Sequence, residues 1–149
     1  MKTNTVFLLL ALLTGALIPI QAATNAAFSK SIGNATITAL IVFIVGLISV
    51  TIFLLFTHTQ LPTAVQLKSA PAYGYLGGII VATYVIMITV LVPRIGVASA
   101  IGLIVTGQIL CAVIIDQFGL FNVSVHKVDA ARALGVLLLI AGVYFTMKK

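Results

Sequence analysis

Apolar residues in this chain come in long runs, and polar residues in short clusters between them. Five stretches, approximately 5–28, 36–57, 72–92, 96–118 and 131–147, are predominantly apolar. A helix needs about 20 such residues to cross roughly 30 Å of hydrocarbon. The clusters carry the punctuation: Ser29-Lys30-Ser31-Ile32-Gly33-Asn34, then His58 to Pro71, then Pro93-Arg94-Ile95-Gly96, then Gly119 to Asp129. Inside the runs, as in Leu8 to Leu13 and Ile101 to Ile115, apolar and polar positions do not alternate. Lipid offers backbone groups no partner, so each run must coil into a helix to satisfy its own N–H and C=O groups. A barrel strand would need an alternating segment of about ten residues. The pattern predicts an all-α integral membrane protein with five transmembrane helices in one domain, 1–149.

Composition strengthens this. The chain is 62% hydrophobic and 7% charged, with a mean hydropathy of +1.30, whereas a soluble domain is roughly half apolar and about a quarter charged. The net charge of +6 comes from eight Lys or Arg against two acids, Asp116 and Asp129. In a soluble protein that balance would suggest nucleic acid. Here the bases stand singly near the ends of apolar runs, where they anchor helices at the membrane edge. Basic runs and clustered base-stacking aromatics are missing, so no nucleic-acid partner is expected. Cys111 has no second cysteine to pair with, and His58 and His126 have no ligand neighbours at metal spacing. The sequence holds no phosphate loop and no nucleophile–base pair. It therefore points to no enzyme, no metal and no cofactor.

The first run has two readings. Lys2, the apolar Val6 to Leu13 and the small-residue site Ile20-Gln21-Ala22 fit a cleaved signal peptide. However, four further spans follow, and the apolar run continues past the would-be cleavage site to Phe28. The segment is expected to stay as the first helix.

Five spans put the termini on opposite faces. Lys2, Lys68, Lys127 and Arg132 then fall on the N-terminal face, and Lys30, Arg94, Lys148 and Lys149 on the other. The positive-inside rule orients a protein through the difference between faces, and here the difference is zero. One reading leaves orientation to single charges near the termini. The other is dual topology, with opposite copies pairing as an antiparallel dimer. Dimerisation has a separate motive, since five helices enclose little volume and many transporters place two inverted repeats around a midplane site.

Polar groups inside hydrocarbon are costly and face protein or water. In the first span Thr14, Gln21 and Asn25 recur at seven and then four residues, which puts them on one helical face. Pro19 removes a backbone donor near Gly15, so these two residues are the candidate hinge. In the third span Gly74 and Gly78 form a close-packing pair, and Tyr84 is deep enough to line a solute path. In the fourth, Gln108 sits near midspan, and Ala98 and Gly102 suit a tight seam. Asp116 lies near the same face as Arg132 at the start of the fifth span. The two are a candidate ion pair, or Asp116 a proton-coupling group. For Gln21, Asn25, Tyr84 and Gln108, hydrogen bonding or packing between helices is the structural alternative to solute binding.

The ordered segments PIQAATNAAFSK, FIVGLISV, GYLGGIIVATYV, PRIGVASAIGLIVTGQ, IDQFGLF and RALGVLLLIAGVYF, spread over nearly the whole chain, resemble a half-size member of the drug/metabolite transporter superfamily, of the YdcZ type. The resemblance implies one inverted-repeat unit of a ten-helix transporter in the bacterial inner membrane. It implies a homodimer, or a heterodimer with a related five-span chain, surrounded by lipid. The expectation is a subunit that moves a small organic solute by alternating access, with Thr14, Gln21, Asn25, Tyr84 and Gln108 as the solute-binding set. A dual-topology ion channel and a non-transporting membrane scaffold are the rival readings. Small multidrug exporters of a related group carry a first-span glutamate, and this first span has no carboxylate. Their proton-coupling scheme cannot be carried over. Coupling through Asp116 and a simple facilitator both remain open.

Overall fold

A computed structural model describes residues 2–148, and the side chains of residues 5–148. Lys2 and Lys149, which enter the charge balance, lie outside the described side chains. Six helices follow one another: α1 (Lys2–Ile32), α2 (Ala35–Phe56), α3 (Ala64–Ser69), α4 (Leu76–Ile95), α5 (Val97–Phe118) and α6 (Ala130–Met147). Short 3-10 turns precede α4 and follow α5. Five of these segments are long and apolar enough to cross a membrane: Thr5–Ile32, Ala35–Phe56, Ala72–Ile95, Val97–Phe118 and Ala130–Met147. The protein is all-α with five spans.

Two boundaries differ from the hydropathy pattern. Helix α1 does not end near residue 28 but runs through Ser29-Lys30-Ser31 to Ile32. Once outside hydrocarbon a helix tolerates polar side chains, so hydropathy marks the lipid edge and not the helix end. The stop is Gly33, at φ 81°, whose N–H donates to Ser29 O at 2.8 Å. That left-handed conformation closes a helix at little cost only in glycine. Asn34 then caps α2, its side chain accepting from Ile37 N at 3.0 Å. Similarly, α4 passes through Pro93 and Arg94 to Ile95, and the expected four-residue connection shrinks to Gly96 at φ 84°. Pro93 sits in the last turn, where the missing N–H removes one bond from an end that is about to stop.

The sequence reading also passed over α3. It lies in the long His58–Pro71 connection and is held by a reciprocal cap between Thr63 and Gln66. Six residues are too few to register as a hydrophobic period.

The chain divides into two compact units, one reaching Pro93 and the other starting at Arg94. In the first, α1 packs on α2; in the second, α5 packs on α6. Few side chains are buried, and large apolar residues such as Leu8, Leu12, Leu47, Phe53 and Phe145 are more than half exposed. In water this would be untenable; in a bilayer such surface is covered by lipid or by neighbouring helices.

Candidate functional site

Burial in the first unit is confined to one end. Ala22, Asn25 and Ala26 of α1, Thr38 and Ala39 of α2, and Val85, Ile88, Thr89 and Val92 of α4 are buried. All lie toward the C-terminal ends of α1 and α4 and the N-terminal end of α2. Towards the other face the same helices stand uncovered: residues 5–17, 44–53 and 72–81 are exposed on every side. Helices α1 and α2 pack together near Gly33, where the small residues Ala22, Ala26 and Ala39 allow close approach.

Hydroxyl groups and amides behave differently in these spans. Thr14 donates to Leu10 O at 2.8 Å, Thr38 to Asn34 O at 2.9 Å, Thr83 to Ile79 O at 3.0 Å and Thr89 to Val85 O at 2.7 Å. A threonine returns its proton to its own helix in this way. Asn25 is 5% exposed, yet among the described residues its Nδ2 has no hydrogen-bond partner, and the buried Tyr84 hydroxyl has none either. Gln21, half-buried, also makes no side-chain hydrogen bond among the described residues. Buried polar atoms are nearly always paired, so Asn25 Nδ2 and the Tyr84 hydroxyl call for a partner beyond the described residues: water, a second chain or a solute.

Near this end of the unit lies a cavity that Gln21, Asn25 and Tyr84 do not themselves line. It measures about 570 Å³ and is lined by Ala26, Ala27, Ser29, Lys30, Gly33 and Pro93, which brings the ends of α1 and α4 together. Ala22, Asn25, Ala26 and Ser29 share one face of α1, so Asn25 lies about one turn deeper than Ser29. Gln21 is nine residues before Lys30, and Tyr84 nine before Pro93. At 1.5 Å per residue both sit about 13 Å along their helices from those lining residues. Thr14 is further along α1, in the exposed part, and its hydroxyl can offer only an acceptor because the proton is used by Leu10.

The candidate hinge falls at a boundary in this pattern. Helix α1 is continuous through Pro19. Residues up to Leu17 are uncovered, Ile18 and Pro19 are intermediate, and packing begins at Gln21 and Ala22. Gly15 has open space where a side chain would stand, so packing does not explain the glycine. Pro19 cannot donate to the Gly15 carbonyl, which weakens the helix where its support stops.

The second unit holds the charged pair. Arg132 Nη2 lies 2.7 Å from Asp116 Oδ2, with the side chains 38% and 30% exposed. Arg132 Nη1 donates to His126 O at 3.0 Å, and His126 N donates to Asp116 O at 2.9 Å. Asp129 caps α6, accepting from Arg132 N at 2.7 Å. Asp116 and Arg132 also border an apolar groove of about 410 Å³ with Ala112, Val113, Val136 and Leu139. Gln108 is on α5 away from this pair; it is exposed and makes no side-chain hydrogen bond among the described residues. Gly102 faces Val143, whose Cγ1 lies 3.1 Å from where a Cβ would be, so the seam it forms is with α6.

Sequence reasoning passed over Lys30 and Ser29, read there as connection and anchor. Their signal was position: Ser29 falls on the stripe of Ala22 and Asn25, which shows only once α1 is known to extend to Ile32.

Comparison with known families agrees with this architecture. A family model described as "Putative inner membrane exporter, YdcZ" matches residues 6–145. The match takes in all five spans, the first helix included. No curated protein and no solved structure matches the chain.

Proposed function

The chain belongs to the YdcZ family and is a multi-pass inner membrane transporter protein, and we propose that it works as one subunit of a dimer that moves a small organic solute by alternating access. The observation that carries this is the set of unpartnered polar groups in the first unit, Asn25 Nδ2 and the Tyr84 hydroxyl buried and Gln21 half-buried. Gln21, Asn25 and Tyr84 lie inside spans where an unmet hydrogen bond is expensive, and a cavity borders the C-terminal ends of the two helices that carry them. A solute that bonds to them on entry and releases them on leaving accounts for their being open.

Two further features support motion. The packed and uncovered halves of α1 meet at Pro19, so a bend there would change access to Gln21 while the Gly33 end stays packed. The uncovered halves of α1, α2 and α4 leave wall for a second chain to supply, and the equal charges on the two faces support its inserting in the opposite sense. Gln108, a midspan amide in the other unit, is the remaining candidate contact to solute or partner. Asp116 is held by Arg132, so a coupling role would require that pair to open.

The test is flux. Purified protein in liposomes preloaded with a metabolite mixture should show saturable counterflow. Gln21→Ala should abolish it while insertion and dimerisation persist. Normal flux in that variant would remove Gln21 from the site. Flux that never saturates would favour a channel, and no flux from the protein alone would favour a scaffold.

A further inference from the structure

We propose that the cavity at the joined ends of α1 and α4 selects small organic monoanions, a carboxylate or sulfonate on an apolar body, through Lys30, Ser29 and the buried amide of Asn25. This rests on the transporter reading above and assigns its substrate class.

Three observations carry it. First, charge: the first 115 residues contain no acidic side chain, so nothing in the first unit can offset a bound cation. Both carboxylates of the chain are in the second unit, and both are already engaged, Asp116 by the Arg132 guanidinium and Asp129 by the α6 N-terminus. A cation brought into hydrocarbon without a counter-charge is strongly disfavoured. Second, the sense of the open groups: the Lys30 ammonium at the cavity and the Asn25 Nδ2 deeper along α1 are donors, and the Tyr84 hydroxyl can act as one. The ammonium and the unpartnered amide N–H have no acceptor of their own among the described residues, and an anion's oxygens would supply one. Third, the walls: Ala26, Ala27 and Pro93 present apolar surface beside Lys30 and Ser29, which suits a molecule with one charged end and an apolar remainder. Asn25 is one turn in from Ser29, so an oxyanion held between Lys30 and Ser29 would meet its N–H groups next.

The experiment measures binding to the full-length protein in lipid nanodiscs by calorimetry, with two permanently charged probes of similar size, benzenesulfonate and benzyltrimethylammonium. Saturable binding of benzenesulfonate alone is expected. Charge-assisted hydrogen bonds dominate such sites, so Lys30→Gln and Asn25→Leu should each weaken it about tenfold. Asn25→Asp should lose the anion and gain the cation. Lys30 is exposed, so its variant tests the site even if changes at the buried Asn25 disturb folding. Saturable binding of the cation to the unaltered protein would overturn the anion assignment and leave a transporter. Binding of neither probe, or of the anion with unchanged affinity in Lys30→Gln, would also overturn it. The metabolite-mixture flux judges the transporter reading separately.

Discussion

Removing the Arg132 guanidinium should cost about 2 kcal/mol, of which about half belongs to its pair with Asp116. Arg132 makes two bonds through its guanidinium, to Asp116 Oδ2 at 2.7 Å and to His126 O at 3.0 Å. A hydrogen bond between charged groups contributes about 1.5–3 kcal/mol when water is excluded. The two side chains are 38% and 30% exposed, so solvent screening brings the pair to about 1 kcal/mol. The bond to the His126 carbonyl adds about 1 kcal/mol. Arg132→Gln should therefore destabilise by about 2 kcal/mol, and Asp116→Asn by about 1 kcal/mol. The double variant should cost no more than Arg132→Gln alone, giving a coupling of about 1 kcal/mol. The assay is reversible unfolding in mixed detergent micelles, with helicity as the signal, over the four proteins of the cycle. A coupling below about 0.3 kcal/mol, the level of additivity between independent sites, would refute the reasoning. It would mean that each side chain is solvated separately and that the loop from Gly119 to Asp129 is held by other bonds, His126 N to Asp116 O and Val128 N to Gln117 Oε1.

Gly119→Ala should destabilise the turn after α5 by at least about 1–2 kcal/mol, the cost of the left-handed conformation. Its φ is 61°, and the new Cβ would meet Val125 Cγ2 at 2.7 Å and Val123 O at 3.3 Å; a melting temperature equal to that of the unaltered protein would show that the turn can rearrange. Compartment-specific reporters fused to the C-terminus should give signal from both sides of the membrane, because Lys and Arg are balanced between the faces. Signal from one side only would exclude a self-sufficient antiparallel homodimer and direct attention to a partner chain of opposite orientation.

What the sequence by itself determined is the set of spans. Lipid gives a backbone no alternative to the helix, so the number and approximate place of the helices follow from hydropathy alone. The helix ends do not follow, because a helix continues past the lipid edge until a residue such as Gly33 or Gly96 turns the chain. Composition also settled the charge character of the first unit, since the lack of acids before Asp116 needs no coordinates. The spacing of Thr14, Gln21 and Asn25 placed them on one face, but it could not tell which of them was covered. Tertiary structure decided that: packing at the Gly33 end buries Asn25 and leaves Thr14 uncovered. It also decided which polar groups stay open. The threonines bond to their own helices, which is a local matter. Whether Asn25 Nδ2 and the Tyr84 hydroxyl find partners depends on residues distant in sequence, and among the described residues none is there. The meeting of Lys30 with Pro93 around one cavity, and of Asp116 with Arg132 across two helices, likewise rests on how helices pack. Hydropathy records only the preference of each segment for lipid, and that preference is the same for every arrangement of the segments.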